Sequence, residues 1–404
     1  MKNALNDLAI LGGVPAFNTT LHVGYPNIGN REKLFQRINS ILEQGWLTNN
    51  GRLVNEFEKR ISEQVGVKHC IAVCNGTIAL EIAVRALNMK GEVIVPSFTF
   101  VATAHCLQWQ EITPVFCDIN PHEYTIDPEC IERLITPRTT GIIGVHLWGK
   151  PCNIERLTQI AKKNNLKLLF DASHAFGCTY KDAMVGSSGN AEVFSFHATK
   201  FINTFEGGAI TTNDDSLAEK IRLMKNFGFS GMDNVIYLGT NGKMNEVSAA
   251  MGLTSLESMN DFIEVNRQNY SAYLDQLEGI PGITLRKYDE QKNNYQYIVI
   301  DIDENKTGVT RDQLMRIFHA ENVRARRYFY PGCHRMEPYR SYYPNANLLL
   351  NETEKASERL LCLPTGTAIN SDHIKIICQI IRLVVEHGKE SYQRLSTYHD
   401  DQKE

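Results

Sequence analysis

Residues 191–212 read AEVFSFHATKFINTFEGGAITT. The apolar run Val193-Phe194-Ser195-Phe196 predicts a buried strand. A second β-prone run, Ala209-Ile210-Thr211-Thr212, follows Gly207-Gly208. Between the two stand Ser195, His197, Thr199 and Lys200. Burial beside a strand end disfavours the ammonium form of a lysine, lowers its pKa and leaves a nucleophilic amine. Such an amine can condense with an aldehyde. On its own, a lysine in this position reads more commonly as the solvated end of a loop.

Working outward, residues 166–180 read LKLLFDASHAFGCTY. Asp171 follows directly on the buried-type run Leu168-Leu169-Phe170, and His174 lies three residues further on. An unpaired carboxylate at the end of such a strand is costly, so it should face a cation or a metal. An Asp that pairs with a pyridinium nitrogen and a Lys that carries the aldehyde together serve a pyridoxal phosphate enzyme. A helix cap or turn residue remains the alternative for Asp171.

The flanking chain alternates strand and helix. Strands are predicted at Cys70–Val73, Glu92–Val95, Val115–Asp118 and Gly141–His146, with helices at Ile78–Leu87 and Ile154–Asn164. This order argues for an α/β fold with a mostly parallel sheet flanked by helices. Ligands of such sheets lie beyond the carboxyl ends of the strands. Asn75-Gly76-Thr77, Phe100, Asp171 and Ser195 all follow predicted strands, so one crevice can gather them. Gly76-Thr77 at a helix start offers free N–H groups to an anion, and equally suits a plain cap.

Helices are also expected at Arg31–Gly45, Leu53–Val65, Ser216–Asn226 and, unbroken, from Asn245 to Gly279. The stretch from Asn226 to Lys243 is a Gly- and Asn-rich loop too long to be idle. Beyond Gly282, strands at Asn294–Ile302 and Val323–Tyr328 and helices at Arg311–Glu321, Thr353–Leu361 and His373–Glu386 predict a smaller α+β unit. The expected organisation is an N-terminal arm over the surface (1–30), a large domain (31–260) and a small C-terminal domain (261–404).

Composition narrows the classes. The 404 residues carry 22% charged and 43% hydrophobic side chains, ordinary for a globular protein. A net charge of −4 gives no footprint for nucleic acid, and no apolar run suits a membrane span. The start lacks a signal-peptide core. The ten cysteines form no C-x-x-C pair or metal-like cluster, so no metal is expected and a reducing cytoplasm is.

Several motifs resemble the sugar aminotransferases of the DegT/DnrJ/EryC1/StrS group: NGTIAL at 75–80, PSFTFVATAH at 96–105, DASHAFG at 171–177, FSFHATK at 194–200, EGGAI at 206–210, GTNGKMNEVSAAMG at 239–252 and LCLPTGT at 361–367. The resemblance covers nearly the whole chain. It implies fold type I, pyridoxal 5′-phosphate as cofactor and a homodimer with shared sites. Within the group, the nearest likeness is to enzymes that aminate C4 of dTDP-4-keto-6-deoxy-D-glucose with glutamate as donor, in deoxyaminosugar and O-antigen biosynthesis. By that likeness Lys200 would hold the cofactor's aldehyde, Asp171 its ring nitrogen, and Phe100 would stack on the ring. Gly76, Thr77 and Ser195 would bind its phosphate, His174 would lie near the ring oxygen, and Asn241 would reach the neighbouring subunit's phosphate. Departures occur at His197-Ala198, at Phe201–Phe205 in place of a Gly-rich run, and at Gly242-Lys243. They touch the choice of sugar carbon more than the cofactor. Alternatives are C3 amination of a 3-keto sugar nucleotide, a dehydratase of the same fold (which would replace Lys200 by histidine) and a non-catalytic cofactor-binding regulator.

Overall fold

The computed structural model describes residues 2–288 and 292–397. Its centre is a sheet of seven strands: β1 (His69–Val73), β2 (Glu92–Pro96), β3 (Thr113–Cys117), β4 (Thr139–Val145), β5 (Lys167–Asp171), β6 (Ala191–Ser195) and β7 (Gly208–Thr212). Their spatial order is β1-β7-β6-β5-β4-β2-β3. All run parallel except β7, which is antiparallel to both β1 and β6. Central strands are apolar on both faces, as in the wholly buried run Val93-Ile94-Val95, because helices cover both sides. Ile71, Val73, Val93 and Val95 pack with the helix Gly76–Ala86 on one face. Cys70, Ala72, Phe194 and Phe196 meet the helix Arg52–Val65 on the other.

A second core surrounds an antiparallel sheet of β8 (Ile283–Leu285), β9 (Ile298–Ile302) and β10 (Leu360–Leu363). The helices Met259–Leu277, Arg311–Ala320 and Ser371–Glu386 pack on it. The N-terminal segment is no surface arm. Leu5, Leu8, Phe17 and Leu21 are buried in this second core, and Leu21-His22 pairs in parallel with Val323-Arg324. Buried Glu321 fastens the segment by accepting from the backbone N–H groups of Ala9 and Ala16, both at 2.7 Å, and by an ion pair with Lys2 at 3.0 Å.

Polar clasps join the two cores. The Asp118 carboxylate, just past β3, accepts from the N–H groups of Glu352 (2.9 Å) and Thr353 (2.8 Å), where it satisfies the first turn of the helix Asn351–Arg359. Ser97 Oγ lies 2.7 Å from His334 Nδ1, and His334 Nε2 lies 2.5 Å from Glu354 Oε1.

Four elements differ from the sequence reading, the first being the strand expected at Asn294–Ile302, which begins only at Ile298. The helix expected from Asn245 to Gly279 is two helices, Glu246–Glu257 and Met259–Leu277, that meet at Ser258. Leu360 and Leu361, expected to close a helix begun at Thr353, instead open the strand β10. The strand expected at Val323–Tyr328 stops at Arg324, and Arg326 makes an isolated antiparallel bridge to Cys362 of β10.

Candidate active site

The carboxyl ends of β1, β2, β4, β5 and β6 and the start of β7 surround a cavity of about 700 Å³. Gly76, Thr77, Phe100, Asp171, His174, Ser195 and Lys200 all line it. Register explains the gathering. Asp171 sits opposite Val145 on one side and Val193 on the other, two residues before Ser195, and Gly208 sits opposite both Ser195 and Val73.

Lys200 lies on the loop between β6 and β7, with Nζ 3.4 Å from the Tyr297 hydroxyl. Burial draws its pKa down to about 8, and the Asp171 carboxylate opposes that shift. Asp171 is 5% exposed. Its Oδ1 accepts from the Ser173 N–H at 3.1 Å and its Oδ2 from Thr103 Oγ1 at 2.9 Å. His174 is buried and its pKa lies well below the usual histidine value, first through burial and then through the nearby Lys200. Its Nδ1 accepts from the Trp148 N–H at 3.3 Å, and its ring stacks on Phe329 with centroids 5.8 Å apart. Phe100 presents an exposed face to the cavity, 6.5 Å from the Phe329 ring.

One end of the cavity is the first turn of the helix Gly76–Ala86. Asn75 Oδ1 caps it by accepting from the Ile78 N–H at 2.8 Å. The cap leaves the N–H groups of Gly76 and Thr77 without a partner within the helix, which favours an anion there. Glycine is required by close approach. A Cβ on Gly208 would fall 2.7 Å from the Asn75 carbonyl carbon, and one on Gly76 would fall 3.0 Å from Ser195 Cβ.

Asn241 does not line this cavity. Its Oδ1 accepts from Lys243 Nζ at 2.6 Å. The loop that carries it is strapped to the end of β1 by Cys74 N–H to Gly242 O (2.8 Å) and Gly242 N–H to Lys225 O (2.9 Å).

Sequence reasoning missed the opposite wall. His22 to Pro26, Tyr297, Arg326, Tyr328 and Phe329 also line the cavity, with Tyr297 and Phe329 packed in a cluster that includes Phe98, Val145 and Trp148 of the first unit. The polar run at 293–296 holds the site loops. Asn294 Nδ2 donates to the carbonyls of His174 and Phe176, both at 3.0 Å, and Gln296 Nε2 donates to the Thr199 carbonyl at 2.8 Å. Three neighbouring amides directly before a strand were the available signal.

Among the described residues no group of His, Cys, Asp and Glu is placed to hold a metal ion, no helix is long and apolar enough to cross a membrane, and all ten cysteines are free thiols.

The sequence profile of the DegT/DnrJ/EryC1/StrS aminotransferase family matches residues 29–382. The chain is 40% identical over 363 residues to a dTDP-4-amino-4,6-dideoxy-D-glucose transaminase of Shigella dysenteriae, which covers 90% of this chain and 98% of the relative. It is 33% identical over 324 residues to a GDP-perosamine synthase of Caulobacter vibrioides, 79% of this chain and 86% of that one. Among solved structures it is similar to DesI, crystallised in the presence of its TDP-sugar product, with a TM-score of 0.93 and 46% identity across 98% of this chain and 100% of the other.

Proposed function

Because the chain belongs to the DegT/DnrJ/EryC1/StrS aminotransferase family, we propose that it transfers an amino group from glutamate to C4 of dTDP-4-keto-6-deoxy-D-glucose with pyridoxal 5′-phosphate as cofactor. It is an enzyme with the fold of type I aminotransferases. The observation that carries the reading is the pairing of Lys200, an amine with a pKa near 8, with the buried Asp171 in one cavity beside a helix N-terminus.

The residues present fit the cofactor. The N–H groups of Gly76 and Thr77 and the Ser195 hydroxyl suit its phosphate. The close packing around Gly76 and Gly208 keeps that cradle free of side chains. Asp171 suits a protonated ring nitrogen, and the faces of Phe100 and His174 suit a flat ring. When bound, the cofactor supplies an aldehyde for the amine and a ring that withdraws electrons from it.

The protein's own groups do the rest. Near neutral pH a workable fraction of Lys200 is the free amine, so Nζ would hold the aldehyde and, as a free amine, would accept a proton from the donor's Cα. In the reverse half-reaction Nζ delivers a proton to C4 of the sugar. His174 stays neutral at working pH and holds its Nδ1 as an acceptor. The Arg326 guanidinium, over the Tyr328 ring at 5.4 Å, supplies positive charge at the cavity wall for the carboxylates of glutamate and the diphosphate of the sugar nucleotide.

The active unit in this reading is a homodimer, and Asn241 reaches the partner's cofactor phosphate. Its exclusion from its own cavity supports that reading. So do the exposed apolar side chains Phe227, Met232, Val235, Ile236 and Leu238 on the same loop.

Borohydride reduction and peptide mass analysis test the reading. Label is expected at Lys200, and label at another lysine would sink the assignment. Glutamate should then yield 2-oxoglutarate in a single turnover, and NMR should find the new amine on C4 of the dTDP sugar. Turnover of the GDP-linked sugar in preference to the dTDP-linked one would reassign the nucleotide.

A further inference from the structure

Asp171 meets the cavity with both carboxylate oxygens already engaged by the protein, one by the Ser173 N–H and the other by Thr103. Thr103 Oγ1 in turn lies 3.2 Å from Thr99 Oγ1. Thr103 is fully buried and Thr99 nearly so, at 0% and 1% exposure. A hydroxyl has one proton to give. Between Thr103 and the Asp171 carboxylate that proton belongs to Thr103. The proton between the two threonines must therefore come from Thr99. Hydrogen-bond chemistry alone fixes the direction: Thr99 donates to Thr103, and Thr103 donates to Asp171.

The start of this chain is also held. The Thr99 N–H donates to the Ser97 carbonyl at 3.1 Å, and the Cys333 N–H donates to the same oxygen at 2.9 Å. Cys333 Sγ lies 3.4 Å from the Thr99 carbonyl. Ser97 Oγ accepts from the His334 N–H at 3.1 Å and contacts the His334 ring, which Glu354 holds from the other side. Thr99 therefore has little freedom to turn its hydroxyl elsewhere.

We infer that Thr99 and Thr103 form a directed hydroxyl relay that orients Asp171 toward the ring nitrogen of the cofactor. The inference rests on the proposed pairing of Asp171 with that nitrogen. Thr103 is a positioning residue that acts through Asp171. With one lone pair of each oxygen bound to the protein, the carboxylate cannot rotate about its Cβ–Cγ bond without losing a hydrogen bond. Its remaining lone pairs face the cavity in a fixed plane. A donor on a carboxylate also stabilises its charge, and two hydroxyls in series polarise one another. The result is an anion that holds a pyridinium proton on the ring without taking it away. A carboxylate free to turn away would hold that proton on the ring nitrogen less well, and a neutral ring withdraws electrons less.

The relay can be measured without turnover. A positive charge on the ring nitrogen disfavours a proton on the bond between Lys200 and the cofactor. The visible absorbance of the holoprotein, followed against pH, reports the midpoint of that proton. Thr103→Val keeps the shape and removes the donor, and should raise the midpoint by roughly half to one pH unit. Thr99→Val, which does not touch Asp171, should raise it in the same direction by less. Thr103→Ser should restore the wild-type midpoint. Turnover of Thr103→Val should fall by about 10- to 100-fold in kcat with little change in KM for either substrate. Asp171→Asn should shift the midpoint most, and Thr103→Val added to it should do nothing more.

The outcomes separate. An unmoved midpoint in Asp171→Asn overturns the reading of Asp171 itself. A shift in Asp171→Asn with wild-type midpoints in both valine variants overturns the relay. So does an additive effect in the double variant. Should Thr103→Val fail to fold, Thr99→Val decides alone: a wild-type midpoint there refutes the relay.

Discussion

Gly208 faces the proposed phosphate cradle across a gap too small for a methyl group, and Gly208→Ala turns that gap into a measurement. The added Cβ would stand 2.7 Å from the Asn75 carbonyl carbon, 2.8 Å from its oxygen and 2.9 Å from the Gly76 nitrogen. These are backbone atoms and cannot swing away. Ordinary contact starts near 3.4 Å, so β7 and the start of the helix Gly76–Ala86 must part by about 0.7 Å. Overpacking of this kind costs about 1–3 kcal/mol. If the cradle bears the strain, the dissociation constant for pyridoxal phosphate should rise by about 5- to 150-fold, since each 1.4 kcal/mol is tenfold. The assay is titration of cofactor-free protein, by absorbance, with pyridoxal phosphate and, in parallel, with pyridoxal, which lacks the phosphate. The variant should lose most of its preference for the phosphorylated form and keep its modest affinity for the other. Equal losses for both ligands would refute the location of the phosphate. Unchanged affinities with a lowered Tm would show that the strand, and not the cradle, yields.

Three further expectations come from the site. Uptake of pyridoxal phosphate by cofactor-free protein needs the free amine of Lys200, so its rate should climb with pH and level off above about 8, whereas a free lysine derivative keeps gaining toward its ordinary pKa; a profile that still rises at pH 10 would contradict the depressed value. Asp171→Asn should leave a folded, coloured protein with kcat down by at least about 100-fold, measured by single-turnover formation of 2-oxoglutarate, and near-normal turnover would make Asp171 a structural residue. Inactive Lys200→Ala subunits mixed with inactive Asn241→Asp subunits should regain activity up to about half the wild-type value per mixed dimer, because one shared site then escapes both lesions; confirmed subunit exchange without recovery would remove Asn241 from the partner's site.

The strands of the large sheet were legible because each carries a short apolar run, and Asp171 stood out as a charge at the end of one. Other features had no local signature. Leu360–Leu363 is a four-residue apolar run attached to a helical stretch, and periodicity over so few residues does not separate strand from helix. The break at Ser258 falls inside a continuous helical pattern with no Gly or Pro to mark it. Thr103 is one hydroxyl among many on a helix until the fold brings Asp171, 68 positions later, to within 2.9 Å of it. The wall of Arg326, Tyr328 and Phe329 stayed hidden for the same reason. Its residues belong to a stretch whose expected strand stops early, and contacts far apart in sequence, such as Phe329 on Phe98 and His174 and Ser97 on His334, place it at the cavity.

The burial of the N-terminal segment in the second core has a consequence for how the protein is made. Leu21 pairs with Val323, so the first strand to leave the ribosome waits for a partner roughly 300 residues behind it, about 15–60 s at ordinary rates of synthesis. During that interval the seven-stranded sheet can form around Lys200 and Asp171. His22 to Pro26, which border the cavity, meet the first unit where Gly24 closes on Thr199, but the strand partner of Leu21-His22, Val323-Arg324, comes late. The cradle and the lysine are thus available before the mouth of the site is built. A chain halted near residue 280 would carry Gly76, Asp171 and Lys200 without Tyr297, Arg326, Tyr328 and Phe329 of the facing wall.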